Sequence, residues 1–291
     1  MSKLVCKGLT KHYKDVEALK RVDLELESGK IYGLIGRNGA GKTTLLSLLS
    51  GQAPATAGEI TLDGAKVWES QPQLDRICFS RELNVSAGSG VGAMKIKDYL
   101  KAGRIYFPNW NREMEERLVG LFQIPLKKAI AKVNKGMQSM VTITAALCSG
   151  CEFTFLDEPV AGLDVIAREQ FYKLLLDEFA SSGRTFLIST HIIEEAASVF
   201  EEVIIVDRGS ILLKEPTDEL VSSFRQVSGL DAEVDAATAG LEIHHSQQLG
   251  RSKEVTVRLA PGKQIEPGHD VDVKSLNLQK VFVALCGEEC A

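Results

Sequence analysis

The chain has 291 residues, of which 44% are hydrophobic and 25% charged, and its formal net charge is −5. This length and composition suit one large or two ordinary globular domains with a sizeable core. The acidic balance argues against a general nucleic-acid binder, which would carry a basic excess. No apolar run approaches the ~18 residues needed to cross a bilayer, and Met1 to Lys7 lacks the apolar core of a signal peptide. The expectation is a cytoplasmic protein whose six cysteines are thiols.

Taken in order, Leu4-Val5-Cys6 opens a first strand. Ala18 to Leu26 alternates apolar and polar residues, which predicts a second strand with one buried face. Between them, Tyr13 fits either stacking on a nucleobase or packing at a sheet edge. Glu27-Ser28-Gly29 turns the chain into Lys30 to Ile35, a short buried strand. Then comes Gly36-Arg37-Asn38-Gly39-Ala40-Gly41-Lys42-Thr43, which fits G-x-x-x-x-G-K-[ST] at every fixed position. A triphosphate needs many short hydrogen bonds, and glycines let consecutive backbone N–H groups turn inward around it. Lys42 would reach the β- and γ-phosphates, and the Thr43 hydroxyl would ligate Mg²⁺. Thr44 to Leu49 reads as a helix whose N-terminus faces the anion.

A strand from Glu59 to Leu62 meets a hairpin signal at Asp63-Gly64, and Arg76 to Ser80 reads as another buried strand. Ser86 to Gly92 is a small-residue connector. Helical patterns run from Lys95 to Arg104 and from Glu113 to Phe122, separated by Tyr106-Phe107-Pro108-Asn109-Trp110. Residues 90–135 therefore read as an all-α insert in an α/β domain. Cys148 and Cys151 read as small residues of a helix-to-strand turn. Their C-x-x-C spacing, with Cys286 and Cys290 as a looser second pair, also fits zinc or redox chemistry.

Phe153 to Glu158 is a β-rich run ending in two carboxylates. Asp157 at the end of a core strand beside the phosphate loop can hold Mg²⁺. Strand alternation would point Glu158 the other way, free to orient or deprotonate a water. Arg184 to His191 is a strand ending in a histidine that could sense the γ-phosphate. A helix at Glu194 to Val199, strands at Val203 to Val206 and Ile211 to Leu213, and a helix from Pro216 capped by Thr217 or Asp218 follow. After about Phe224 the composition shifts. Glu254 to Leu259 alternates as a strand. Leu278, Val281, Phe282 and Leu285 form one helical face that Ser275 can cap. His244-His245 read as surface residues.

Together these motifs resemble the ATP-binding cassette family over roughly residues 3 to 220. In that resemblance Tyr13 matches the adenine-stacking aromatic, and Gly36 to Thr43, with Thr44, the first nucleotide motif. Phe153 to Glu158 match the second, with Glu158 as catalytic base. Asp164 falls in the loop that speaks across a dimer, and His191 is the switch histidine. The signature motif departs from its usual form as Val133-Asn134-Lys135-Gly136-Met137, which looks like the single-cassette branch serving drug- and antibiotic-export permeases. Glu82 stands where a Gln usually ligates Mg²⁺; its added negative charge needs Arg81 or the metal to offset it.

The resemblance implies a P-loop NTPase core with an antiparallel β subdomain and an α-helical insert at residues 1–222. A small α+β appendage at 223–291 would complete the chain. It further implies a Mg²⁺-dependent ATPase that closes as a head-to-tail dimer. The chain would work on the inner face of the cell membrane with a separate permease, and with no nucleic-acid partner. The alternative is a soluble, nucleotide-gated module with little turnover, which the altered signature motif and Glu82 favour and which Glu158 and His191 oppose.

Overall fold

The computed structural model describes residues 1–86 and 90–287. The centre of the Ser86–Gly92 connector, and Cys290 with its suggested pairing, lie outside the described residues. In chain order, β1 (Lys3–Tyr13), β2 (Val16–Glu27) and β3 (Ile31–Ile35) precede helix α1 (Lys42–Leu49). Next come β4 (Ala57–Leu62), β5 (Ala65–Lys66), α2 (Gln71–Leu74) and β6 (Ile77–Ser80). Helices α3 (Gly90–Ala93), α4 (Ile96–Tyr106), α5 (Arg112–Leu121) and α6 (Lys135–Cys148) lead to β7 (Phe153–Asp157). The chain continues through α7 (Val165–Ser182), β8 (Thr185–Thr190), α8 (Ile193–Ala196), β9 (Glu202–Asp207), β10 (Ser210–Pro216) and α9 (Thr217–Ser223). It ends with β11 (Phe224–Leu230), α10 (Asp231–Ala237), β12 (Glu242–Leu249), β13 (Ser252–Arg258), β14 (Val271–Ser275) and α11 (Leu278–Cys286).

The central sheet has the order β10-β9-β3-β8-β7-β6. All its neighbours are parallel except β10, which returns antiparallel on β9. Every residue of β3, β7 and β8 is buried, as parallel strands covered on both faces require. The alternation of β3 divides the interior in two. Ile31 and Ile35 enter one apolar cluster with Leu147, Phe171 and Ile188. Tyr32 and Leu34 enter another with Leu45, Leu49 and Phe155. Gly33 sits where a Cβ would fall 2.4 Å from the Phe200 ring, so only glycine lets that ring lie on the strand. The antiparallel sheet β2-β1-β4-β5 adds its inner face to the second cluster, and Asp63-Gly64 makes the expected hairpin between β4 and β5.

Arg184 is a buried staple that motif reading passes over. It is 7% exposed and donates from Nε to the Cys151 carbonyl at 2.8 Å and from Nη1 to Leu147 O at 2.7 Å. The same Nη1 pairs with Glu178 at 2.9 Å, and Nη2 donates to Ala146 O at 3.1 Å and Thr154 Oγ1 at 2.7 Å. It thereby satisfies carbonyls at the C-terminal end of α6, where a cation is favoured. Cys78, Cys148 and Cys151 are core residues of the first cluster. Burial pushes their thiols up, Cys78 to about 12 and Cys151 to about 11.

Beyond α9 the chain builds a third sheet, β12-β13-β11-β14, of which sequence alternation showed only β13. Val227, Val255 and Val257 of this sheet pack with Val234 of α10. Helix α11 turns back, and its Leu278 and Val281 join the first cluster.

Two expected caps differ. Ser275 ends β14, and Asn277, the residue directly before the first apolar position Leu278, caps α11 by accepting from the Lys280 N–H at 2.9 Å. Thr217 lies inside α9, with Pro216 at the cap position and no side-chain cap, since the proline ring carries no oxygen to accept from the first turn. His244 is also not a surface residue: it is half-buried, its ring 5.2 Å from that of Phe224.

Candidate functional site

The carboxyl ends of β3, β8 and β7 lie side by side, with Ile35 opposite Thr190 and Asp157 opposite Ser189. Loops leaving neighbouring parallel strands at one level form a crevice suited to a ligand. After Ile35 the chain wraps into a loop whose glycines are needed for space and for backbone angle. A Cβ on Gly36 would fall 2.4 Å from the Val206 carbonyl oxygen. Gly41, at φ 109°, is the N-cap of α1. Lys42 is 7% exposed and folds across its own loop, donating to Gly36 O at 2.7 Å and Arg37 O at 3.3 Å. Burial holds its pKa below the usual lysine range, opposed by the nearby Glu158 and Asp157 charges. Residues 37–44 line a cleft of about 550 Å³ together with Val16, Lys20, Asp157, Glu158 and Arg208.

The carboxylates are held by strand register. Asp157 Oδ2 accepts from Thr43 Oγ1 at 2.7 Å, and its Oδ1 accepts from Ser189 Oγ at 2.5 Å. Thr43 and Asp157 thus present adjacent hard oxygen donors, the chemistry that Mg²⁺ prefers. Glu158 departs from the expected alternation. Strand β7 stops at Asp157, and Glu158 sits at φ 50°, the left-handed region. That backbone costs on the order of 1–3 kcal/mol in a non-glycine residue. Ser189 secures it, for the Glu158 N–H donates to both Ser189 O and Ser189 Oγ at 3.1 Å. The turn, rather than alternation, aims the Glu158 carboxylate at His191. Nδ1 of His191 lies 2.6 Å from Oε2, which requires a proton on that nitrogen because a carboxylate only accepts.

Other predicted residues gather elsewhere. Asn134, Lys135, Gly136 and Asp164 line a separate groove of about 630 Å³ that shares no residue with the phosphate-loop cleft. Asn134 Oδ1 caps α6 by accepting from the Met137 N–H at 2.8 Å, which leaves the donors of its amide nitrogen for another partner. Asp164 caps α7 through the Ala167 N–H at 2.9 Å. Gly136 has close backbone packing, since a Cβ there would meet Gly162 O at 2.8 Å. Tyr13 is half-exposed at the end of β1, paired in register with Val16 of the cleft wall. Glu82 lines a small cavity together with Asp157 and Glu158. Its Oε1 pairs with Lys135 Nζ at 3.2 Å, while the Arg81 guanidinium lies over the Phe79 ring. The cation that offsets Glu82 is therefore Lys135, not Arg81.

Three residues at the cleft escaped motif reading. Ser189 holds both carboxylate positions; its only sequence signal is a polar residue two places before His191 in an apolar strand. Lys20 and Arg208 reach the cleft from β2 and from the turn after β9, and only tertiary structure brings them there.

Comparison with known proteins gives a consistent picture. The profile of the ABC transporter family matches residues 19–161. The aliphatic sulfonates import ATP-binding protein SsuB of Albidiferax ferrireducens is 32% identical, covering 82% of this chain and 80% of its own. The bacitracin transport ATP-binding protein BcrA of Bacillus licheniformis is 29% identical, over 96% of this chain and 95% of its own. An uncharacterised ABC transporter ATP-binding protein of Synechocystis, sll0415, is longer, and the chain spans 60% of it at 32% identity. Among solved structures, the ATP-binding cassette MJ0796, in a dimer bound to ADP and Pi, superposes with a TM-score of 0.65. The identity is 21%, and the match covers 74% of this chain and 98% of the cassette.

Proposed function

The chain belongs to the ABC transporter ATP-binding family, and from that premise we propose that it hydrolyses Mg·ATP to drive a separate membrane permease in export. The observation that carries the reading is the linked set Thr43–Asp157–Ser189–Glu158–His191 at the open end of the phosphate-loop cleft. The loop amides and Lys42 would hold the phosphates, Lys42 exchanging its carbonyl partners for phosphate oxygens. Glu158 would accept the proton of a water attacking the γ-phosphate in line, with His191 fixing the carboxylate. Thr43 and Asp157 would hold Mg²⁺, whose charge would spread that of the phosphates.

Signature residues in a groove apart from the cleft leave a single copy without them at its phosphate loop. A second cassette placed head to tail would bring them there, and the cassette MJ0796 is itself dimeric with ADP and Pi bound. Among the described residues no helix is long and apolar enough to cross a membrane, so a transport role calls for a separate permease, with this subunit at its cytoplasmic side. Export is the reading we take from the signature-motif resemblance together with the match to the bacitracin transport protein BcrA, which covers 96% of this chain.

The test is Glu158→Gln. Turnover should drop ~10²–10⁴-fold, the usual worth of a general base, while nucleotide binding persists. Near-normal hydrolysis would remove Glu158 from the role, and failure to co-purify with any polytopic membrane protein would count against the transport reading.

A further inference from the structure

We infer that Arg168 is a positioning residue for the Glu158–His191 pair: it ties the loop that follows Glu158 to the helical turn that follows His191. The inference rests on the hydrolysis reading above and adds to it a residue that none of the motifs contains.

The two acceptors of Arg168 show the tie. Its Nε donates to the Leu163 carbonyl at 3.0 Å, and its Nη1 donates to Glu195 Oε1 at 2.9 Å. Leu163 lies in the loop between Glu158 and α7, and Glu195 lies in α8, which the chain enters just after His191. Glu158 and His191 themselves meet at 2.6 Å. Chain and hydrogen bonds therefore close a ring. It runs from Glu158 along the loop to Leu163, through the guanidinium to Glu195, back along the chain to His191, and across to Glu158.

Three features give the tie its effect. First, the His191 side chain is 56% exposed, so packing does not fix its ring and the backbone beneath must hold it. Second, α8 is a single turn of four residues. So short a helix has almost no stability of its own, and its orientation follows what it is bonded to. Third, Arg168 stands on a firm base. Its N–H donates to Asp164 O at 3.0 Å in the first turn of α7, and Phe171 and Leu175 of that helix are buried in the first apolar cluster. A planar fork with several donors can serve a carbonyl and a carboxylate at once, which a lysine cannot do as well. Val160, Leu163 and Ile193 share the same apolar cluster, but apolar packing is non-directional and does not set the angle between two segments. Tyr172, one turn further along α7, lies close enough to feel the charges of Glu195, Arg168 and Glu158, yet its buried hydroxyl makes no hydrogen bond among the described residues. The polar link between the loop and α8 therefore runs through the guanidinium.

The test is release of radiolabelled phosphate from ATP by the full chain with Mg²⁺, with the affinity for a non-hydrolysable ATP analogue measured alongside. Arg168→Met keeps the apolar stem and removes both bonds. It should lower kcat about ten-fold, as loss of a charged hydrogen bond does, with KM and analogue affinity within about two-fold of the unaltered chain. Glu195→Gln keeps the shape and weakens the pair, so it should lower kcat about three-fold. The double variant should be no slower than Arg168→Met, because one tie is lost only once. The decisive background is His191→Ala: with no histidine to position, neither change should cost anything further. A loss from Arg168→Met or Glu195→Gln that persists without His191 would overturn the proposal, since general damage to the fold does not need the histidine. So would an unaltered kcat in Arg168→Met, or a fall in analogue affinity as large as the fall in kcat, which would place Arg168 in nucleotide binding. An unaltered chain that binds the analogue but hydrolyses no ATP would bring down the hydrolysis reading itself, and this inference with it.

Discussion

Arg184→Met is expected to be among the most damaging single changes outside the phosphate loop, and the structure says why. The guanidinium serves the carbonyls of Ala146, Leu147 and Cys151, the hydroxyl of Thr154 and the carboxylate of Glu178. Arg184 and Glu178 are 7% and 9% exposed. Methionine fills much of the volume but leaves Glu178 as a buried, unpaired charge, a loss of about 3–5 kcal/mol. Adding Glu178→Met removes the stranded charge. What then remains is the loss of the charge-assisted bonds from the guanidinium to the carbonyls and to Thr154, before the end of α6 relaxes. The double variant should therefore be more stable than Arg184→Met alone, with a coupling of roughly 2 kcal/mol or more. Urea unfolding followed by tryptophan fluorescence reads this directly, since the residue after Trp110, Asn111, donates its N–H to the Cys148 carbonyl beside the staple. A single-variant cost below about 1 kcal/mol, or additive costs in the double variant, would refute the reasoning.

Gly36→Ala should weaken ATP-analogue binding on the order of ten-fold or more, because its Cβ meets a backbone carbonyl at 2.4 Å and the loop must shift; calorimetric titration of nucleotide checks it. Gly39→Ala meets nothing within 4 Å and carries only the strain of φ 80°, so its effect should be smaller. Alkaline stability should follow the buried thiols. Cys6 and Cys78 are raised from 9.0 to about 12 by burial, so the folded chain keeps protons that the unfolded chain loses. Their contribution is whole below pH 9 and is lost as pH rises from about 9 toward 12, at about 1.4 kcal/mol per unit for each thiol. Denaturation midpoints across that range test it, and a flat profile would contradict burial of the thiols.

The parts of the site legible in the sequence are those where chemistry dictates local backbone. Only glycine fits at Gly36 and suits the angle of Gly41, and only a cation and a hydroxyl at the start of α1 serve a bound triphosphate. The buried strands β3, β7 and β8 were legible for a related reason: a strand covered on both faces carries an apolar run at its centre. What could not be read depends on register. Asp157 is oriented by Ser189 because β7 and β8 pair at that level, and no spacing along the chain encodes which residue of one strand faces which of another. The same holds for Arg184, which reads as a polar strand opening until α6 and β7 close around it. The third sheet was mostly missed because β12 and β14 are largely exposed and polar, so the alternation that marks a half-buried strand is faint.

Glu158 is where local rules and tertiary structure conflict, and the conflict has a chemical consequence. Had the strand continued, alternation would have carried its carboxylate to the face opposite Asp157. Instead β7 ends one residue early and Ser189 binds the Glu158 N–H, holding a left-handed backbone that a glutamate would otherwise avoid. The same serine fixes Asp157. One hydroxyl thus sets the relative placement of the residue suited to a metal and the residue suited to a water. A sequence shows the two acids as neighbours, but only the paired strand shows why adjacent carboxylates can do different work.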